Sequence, residues 1–535
     1  MSELIAPREV ISRYPPHRGT LRSMLASRAA TSPERGFLVF QGRTLTYGAA
    51  AEEVDRAAAM YAARGVKAGD RVGIMSLNHP STVVTFFALA RLGAVMVPVN
   101  PDYGLEEARY VLSHAQVSGV LCSPEALGTV TPACAGLASA PWYLLNEPAD
   151  GGPAVFGDEL ARVSQTPPPE AGMAESPCVF IYTSGTTGFP KGVMHSQRNV
   201  VLAGEGFVER LFLQPDDRVL CILPMFHINA LFYSLAGALA AGATLVLVPK
   251  FSASSFWKTV AETGATEVNT LAAVSNILMR RPRSEFVPGH WLRKIYGAPF
   301  TAEVYRVFQT EFGVPTLIEG YGMSEIPGVL NNPFYGPHKI GSMGKPSLHP
   351  DRRIALAEMK VIGEDGRELG DGETGELAVR TPIMMLGYYR DPEQTAAAFR
   401  DGWFLTGDLG YRDAEGYFWF VARKKDIIRK RGENISGAEL DRVVGSHPAV
   451  LEAAAIPVPA ELGEDEILVA VVARPGATVR ADEIAALCRD RLAPIKVPRY
   501  VTFVDSLPKT PTHRVEKYKL RSDRTLRERA VDLGR

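Results

Sequence analysis

The stretch Tyr182-Thr-Ser-Gly-Thr-Thr-Gly-Phe-Pro-Lys-Gly192 sets hydroxyls and glycines ahead of a lysine. Gly185 and Gly188 let successive backbone amides turn into one concavity, Thr183, Ser184, Thr186 and Thr187 add hydroxyl donors, and Lys191 adds a mobile positive charge. Such a segment suits anionic oxygens, phosphates above all. It is not a Walker A loop, which needs Gly-Lys-Ser/Thr, because Pro190 precedes Lys191 and Gly192 follows it. A second concentration of charge lies at Arg423 to Arg431, where six of nine residues are basic and only Asp426 is acidic. No aromatic residues interleave there, so small-molecule phosphates fit better than nucleic acid. No two histidines stand at metal-ligand spacing, and a lone His227 closes Pro-Met-Phe-His.

The phosphate-type segment must be carried by the apolar run Val179-Phe-Ile-Tyr182, which reads as a buried strand. Upstream, Thr46 can cap an alanine-rich helix that stops near Gly65. A strand at Arg71 to Ser76, a helix around Thr82 to Leu92, a strand at Val95 to Val99, a helix from Leu105 to His114 and a strand at Val117 to Cys122 follow. Helix and strand alternate, so the expected class is α/β: a large N-terminal domain of parallel-sheet αβ sub-domains. From Gly341 short strands and Gly/Asp turns predict a small β region. The last ~110 residues predict a small mobile α+β domain, with strands at Leu451 to Val458, Ile467 to Ala473 and Tyr500 to Val504 and a helix at Ala481 to Leu492. The apolar stretch Ala230 to Val248 is about long enough to span a bilayer, but Gly242 reads as a helix stop before the strand Thr244-Leu-Val-Leu-Val248, so a buried helix-strand pair is expected.

In order along the chain there follow Leu223-Pro-Met-Phe-His227, Gly297-Ala-Pro299, Glu319-Gly-Tyr-Gly-Met-Ser-Glu325, Gly387-Tyr-Tyr-Arg390, Thr406-Gly-Asp-Leu-Gly410, Ala422-Arg-Lys-Lys-Asp426, Gly432-Glu-Asn-Ile435 and Leu507-Pro-Lys-Thr-Pro-Thr-His-Arg514. With the Tyr182–Gly192 segment, this series resembles the adenylate-forming superfamily of acyl-CoA synthetases, peptide-synthetase adenylation domains and luciferases, over residues 20 to 522. Lys250-Phe251, Gly264-Ala-Thr266, Arg429 to Ser436 and Lys496-Val-Pro-Arg-Tyr500 resemble the branch of crotonobetaine/carnitine-CoA ligases.

The resemblance implies an acid-CoA ligase that uses ATP, Mg2+ and CoA. A small or medium carboxylic acid is converted to an acyl-AMP with loss of pyrophosphate, and a thiol then displaces AMP; an aromatic acid is the second choice of substrate. It assigns ATP contacts to residues 183 to 188, Lys191, Gly297, Ala298, Pro299, Glu319, Gly320, Tyr321, Gly322, Met323 and Ser324, with Tyr321 against adenine and Ser324, a hydroxyl where threonine is usual, at the α-phosphate. Glu325 is the implied Mg2+ ligand, since a hard cation prefers carboxylate oxygen. Asp408 and Arg423 are implied ribose or phosphate contacts, and His227, Gly297 and Gly322 the acyl pocket. Arg431, Gly432 and Glu433 are implied for CoA, and Lys425 for a hinge that divides a domain of residues 1–424 from one of 425–535. The last motif departs from the family, which usually has Gly-Lys at His513-Arg514. Arginine keeps the charge and changes the geometry. Three readings stand: Arg514 acts in adenylation, Lys517 or Lys509 substitutes, or adenylation is impaired. Other open classes are a stand-alone adenylase loading a carrier protein and a nucleotide-binding homologue without catalysis.

With 535 residues, 46% hydrophobic and 22% charged, the chain has an ordinary globular composition that excludes fibrous and disordered classes. A net charge of -1 supplies no global field for nucleic acid or anionic lipid. Five scattered cysteines without C-x-x-C spacing point to a reducing compartment. Residues Met1 to Pro15 lack an apolar h-region, so no signal peptide is expected and the assigned location is cytoplasmic. The expected partners are the acid, ATP and CoA, with a homodimer left open.

Overall fold

The computed structural model describes residues 4–137, 140–183, 190–430, 433–459, 465–509 and 515–534, the side chains of 425, 433 and 434 excepted. The chain divides into two compact units, one of residues 1–358 and 380–402, the other of 359–379 and 403–535.

In the first unit, helix boundaries follow local chemistry. The Thr46 hydroxyl accepts from the amide of Ala49 at 3.2 Å and starts the helix Tyr47–Ala63. Gly93 and Gly242 end the helices Pro80–Leu92 and Ala236–Ala241 in the left-handed region. The expected alternation is present. The strands Val95–Pro98, Arg71–Met75, Gly119–Cys122 and Trp142–Leu145 are parallel neighbours. Pro177–Thr183 adds parallel to Val95–Pro98, and Lys191–Ser196 and Gly387–Tyr388 complete this seven-stranded sheet antiparallel.

A second sheet of nine strands has a parallel centre, with Thr316–Met323, Lys294–Gly297, Glu267–Asn269, Arg218–Cys221, Thr244–Leu247 and Gly36–Phe40 in that order. Central strands such as Gly119–Cys122 and Thr244–Leu247 are buried throughout, as strands covered on both faces must be. The main core gathers Phe86, Phe87, Leu89, Phe207, Leu231, Phe232 and Leu239 against Leu245 and Ile318. The Ala230 to Val248 stretch lies within it as a helix-strand pair, but its helix opens as a π-helix, Asn229–Leu235, before tightening to Ala236–Ala241. No helix among the described residues is long and apolar enough to cross a membrane.

The second unit holds the strand Trp403–Arg412 between Gly375–Arg380 and Phe418–Arg423, all antiparallel. It continues through the hairpin Ile427–Lys430 with Glu433–Ser436. The final sheet is ordered Val450–Pro459, Asp465–Ala473, Tyr500–Phe503 and Val531–Asp532, and the helix Ala481–Arg491 shares its core through Ile484 and Cys488. Compactness therefore groups residues 403–424 with the C-terminal residues, since the strand Phe418–Arg423 packs with the helix Gly437–Gly445.

Gly242 shows how tightly the helix stops are constrained. Its φ is +66°, and an added Cβ would lie 1.9 Å from the Tyr14 hydroxyl. Gly242→Ala is expected to lower stability by about 1–2 kcal/mol from backbone strain alone, with the clash adding to it. The midpoint of denaturant unfolding measures this, and an unchanged midpoint contradicts it.

Candidate active site

Parallel strands of an α/β sheet place ligands at their carboxyl ends. At such an end Pro177–Thr183 delivers Thr183 opposite Lys191, its register partner. Ser184, Gly185, Thr186, Thr187 and Gly188 lie outside the described residues. The Lys191 ammonium stands 4.8 Å from the centre of the Tyr388 ring. The Tyr388 hydroxyl donates to Oε1 of Glu325 at 2.9 Å. Burial, then the Glu325 carboxylate, push the Tyr388 phenol well above its usual range, so it stays a donor. Lysine, phenol and buried carboxylate thus stand in line.

His195, next on the same strand as Lys191, fixes the neighbouring residue. Its Nδ1 is 3.0 Å from the Asn199 amide nitrogen and its Nε2 is 2.6 Å from the Ser324 carbonyl oxygen. An amide nitrogen only donates, so Nδ1 accepts and Nε2 carries the proton to Ser324. Burial pushes this imidazole down to about 4, which keeps it neutral at ordinary pH. The Met385 amide donates to the Glu325 carbonyl at 2.9 Å, completing the hold on the turn.

Other residues expected at the site are structural in part. The Glu319 carboxylate is buried and accepts from the Phe300 amide at 2.8 Å and the Gly341 amide at 3.2 Å, so it anchors the segment Gly297, Ala298 and Pro299 from beneath. Burial raises its pKa. An added Cβ at Gly297 would lie 2.8 Å from Thr270, at Gly320 2.4 Å from the Tyr296 hydroxyl, and at Gly322 2.4 Å from the Gly328 amide. These glycines bring backbones together; protein atoms fill the space a side chain would take. Tyr321 and Met323 are half-buried on the same strand end. His227 is held neutral by burial, down to about 4, and its Nε2 has no hydrogen-bond partner. It lies two residues before the π-helix Asn229–Leu235, an element often placed at functional sites.

In the second unit Asp408 and Arg423 are register partners, with Arg423 Nε 3.3 Å from Asp408 Oδ1. Glu376 holds their turn, accepting from the Gly407 amide at 3.2 Å and from Lys424 at 2.7 Å. The Lys425 backbone lies in the tight turn Lys424–Asp426. Arg431, Gly432 and Arg514 lie outside the described residues, as does the side chain of Glu433. Lys517 Nζ is 2.6 Å from Asp441, and Lys509 is paired with Glu452, so both alternative lysines are engaged in ion pairs.

Sequence reasoning missed His195, Asn199 and Glu376, and gave Tyr388 no role although Gly387-Tyr-Tyr-Arg390 had been singled out. The available signal was a histidine on the strand that begins with Lys191.

The family model described as "AMP-binding enzyme" matches residues 25–389, and that of the "AMP-binding enzyme C-terminal domain" matches 439–514. This chain belongs to the AMP-binding enzyme family. It is an ATP-dependent, AMP-forming acyl-CoA synthetase by class, with ATP, Mg2+ and CoA as its reagents. A sulfoacetate-CoA ligase of Cupriavidus necator is 35% identical over 508 residues, 94% of this chain and 97% of that protein. A crotonobetaine/carnitine-CoA ligase of Salmonella paratyphi A is 29% identical over 94% of this chain and 98% of its own length. The ATP-bound MatB of Rhodopseudomonas palustris has TM-score 0.82 at 28% identity, covering 94% of this chain and 98% of its own. The crotonobetaine/carnitine branch is thus among the relatives, and the sulfoacetate ligase shares more of the sequence.

Glu325 suits Mg2+, offering one hard oxygen ligand to an ion that keeps water and phosphate oxygens.

Tyr388→Phe is expected to lower the rate of pyrophosphate formation about tenfold, the loss of one hydrogen bond to a buried carboxylate. Steady-state kinetics with ATP and Mg2+ varied separately test this, and an unchanged rate removes Tyr388 from the positioning chain. For His195, the unfolded imidazole protonates near ~6.5 and the folded one only near 4. Between those values the unfolded chain binds the extra proton, so stability falls as pH drops, by up to ~1.4 kcal/mol per pH unit. His195→Gln should flatten the dependence of the unfolding midpoint between pH 6.5 and 4.5; an identical slope contradicts the neutral assignment.

Proposed function

We propose that this chain activates a small or medium carboxylic acid as its AMP ester and passes the acyl group to CoA, with the roles divided as follows. The observation that carries the reading is the Lys191, Tyr388 and Glu325 arrangement in a chain of the AMP-binding family. A carboxylate oxygen attacks the α-phosphorus of ATP, and the bond to the β-phosphate oxygen breaks to release pyrophosphate. The CoA thiolate then attacks the acyl carbon, and the bond to AMP breaks. Lys191 offers its ammonium to the phosphates, and the hydroxyls and amides of residues 183–188 offer donors. Such preorganised donors act where charge develops. Bound Mg2+ supplies neutralisation of phosphate charge, and Glu325 is the residue that would hold it.

Tyr321 is assigned to adenine, Asp408 and Arg423 to the ribose, and Arg431, Gly432 and Glu433 to CoA. Lys425 is assigned the hinge, because a tight turn between two strands lets few residues absorb a rotation. Arg514 is assigned to the acid and α-phosphate, a choice supported by the ion pairs that occupy Lys509 and Lys517. The five cysteines, all buried and free, support a reducing, cytoplasmic location.

The test is to supply ATP, Mg2+ and a panel of carboxylic acids with and without CoA. Acid-dependent pyrophosphate and CoA-dependent AMP are the expected products. Pyrophosphate without CoA-dependent AMP transfers the reading to a carrier-loading adenylase, and no acid-dependent pyrophosphate from any acid overturns it. Arg514→Ala should lower adenylation at least 100-fold. If it is unaffected while Lys517→Ala abolishes it, the assignment passes to Lys517.

A further inference from the structure

The helix Gln197–Leu211 carries Arg210 into the interior, where it is 3% exposed. Its guanidinium contacts all three segments from which the acyl-pocket residues come. It stands 5.3 Å from the Tyr233 ring of the π-helix that follows His227, and 5.1 Å from the ring of Tyr296, which precedes Gly297. Its Nη2 donates at 2.6 Å to the carbonyl of Gly328, the residue against which Gly322 packs.

Among the described residues no carboxylate lies within ion-pair distance of this cation. Nε reaches Asn331 only at 3.4 Å, Nη2 reaches Ser347 at 3.4 Å, and Nη1 is buried with no hydrogen-bond partner. Two buried acids of the same unit are engaged elsewhere. Asp217 pairs with Lys294 at 2.6 Å and Arg293 at 3.1 Å, and Glu205 with His17 and His349 at 3.2 Å each.

Arg28 shows how the same unit treats a buried arginine that needs no ligand. Its Nε and Nη2 donate to the carbonyls of Leu239 and Ala240 at the negative end of a helix, and Nη1 to Ser27. All three nitrogens are used. Around Arg210 the rings of Phe207, Tyr233 and Tyr296 stabilise a cation without neutralising it, and an uncompensated buried charge is costly. Two further polar atoms at the start of the π-helix, Nε2 of His227 and Oδ1 of its first residue Asn229, are also buried without hydrogen-bond partners. A plain hydrocarbon tail offers a guanidinium no partner.

We infer that Arg210 is the specificity-determining cation of the acyl pocket, and that the activated acid carries a second anionic group, carboxylate or sulfonate, at the end away from the reacting carboxylate. The inference rests on the ligase reading above. A guanidinium offers a planar pair of donors to either group.

The experiment compares dianionic acids with uncharged isosteres in the acid-dependent pyrophosphate assay: sulfoacetate with 3,3-dimethylbutyrate, and malonate and succinate with their methyl-terminated counterparts. The purified full chain is expected to favour at least one dianion over its isostere by tenfold or more in kcat/KM. Arg210→Gln should lower the dianion's kcat/KM about 100-fold, chiefly through KM, and change the isostere's value and the KM for ATP less than threefold. Arg210→Lys, which keeps the charge, should restore part of the preference. Uncharged acids activated and dianions rejected by the unaltered chain would overturn the inference while leaving the ligase reading in place, a result that needs no variant to fold. Equal losses for both acids in Arg210→Gln would reduce Arg210 to a packing role. No pyrophosphate from any acid would overturn both readings.

Discussion

The turn Ser324–Glu325 ends a strand of one sheet and is held by residues of another. His195 donates to the Ser324 carbonyl, Tyr388 donates to the Glu325 carboxylate, and Met385 donates to the Glu325 carbonyl. Both sheets of the first unit therefore have to be complete before the turn is fixed. A carboxylate that is to meet a hard cation cannot wander. A neutral imidazole behind it and a phenol beside it help to hold it, each supplying one directed donor and no charge. Burial, which keeps His195 neutral and Tyr388 protonated, is what makes these partners suitable.

The same economy appears in the glycines. By resemblance Gly297, Gly320 and Gly322 are expected at the ATP site, and Gly297 and Gly322 also at the acyl pocket. In the structure a Cβ at any of them meets protein atoms within 2.8 Å. They permit close backbone approach, which lets Gly328 and its carbonyl reach Arg210. Wall and specificity determinant are consequently built from one set of contacts. In the second unit the logic is simpler: Asp408 and Arg423 face each other by register, and Glu376 holds the Gly407 amide and the Lys424 ammonium beside them.

Much of the architecture was legible. Thr46 and Gly242 mark helix ends through local backbone chemistry, and the alternation of helix and strand between residues 71 and 122 names the parallel sheet. The π-turn at Asn229 was not legible, since apolar spacing does not distinguish a wide helix from an ordinary one. The extent of the compact second unit was not legible either. It depends on how strands of residues 403–423 pack with the helix Gly437–Gly445, which no local pattern records.

Side chains whose roles come from motif neighbours, such as Lys191, Glu325 and Asp408, could be picked out along the chain because loop chemistry is written in consecutive residues. Partnerships across the fold could not. His195 and Ser324 are 129 positions apart and Tyr388 and Glu325 are 63. Residue types and their spacing pointed to phosphate, and the ordered motifs carried the resemblance to the adenylating enzymes. Only folding decided that Arg210, unremarkable on its helix, is a buried cation with no acid beside it among the described residues, because burial and the distance to the nearest opposite charge are properties of three-dimensional packing.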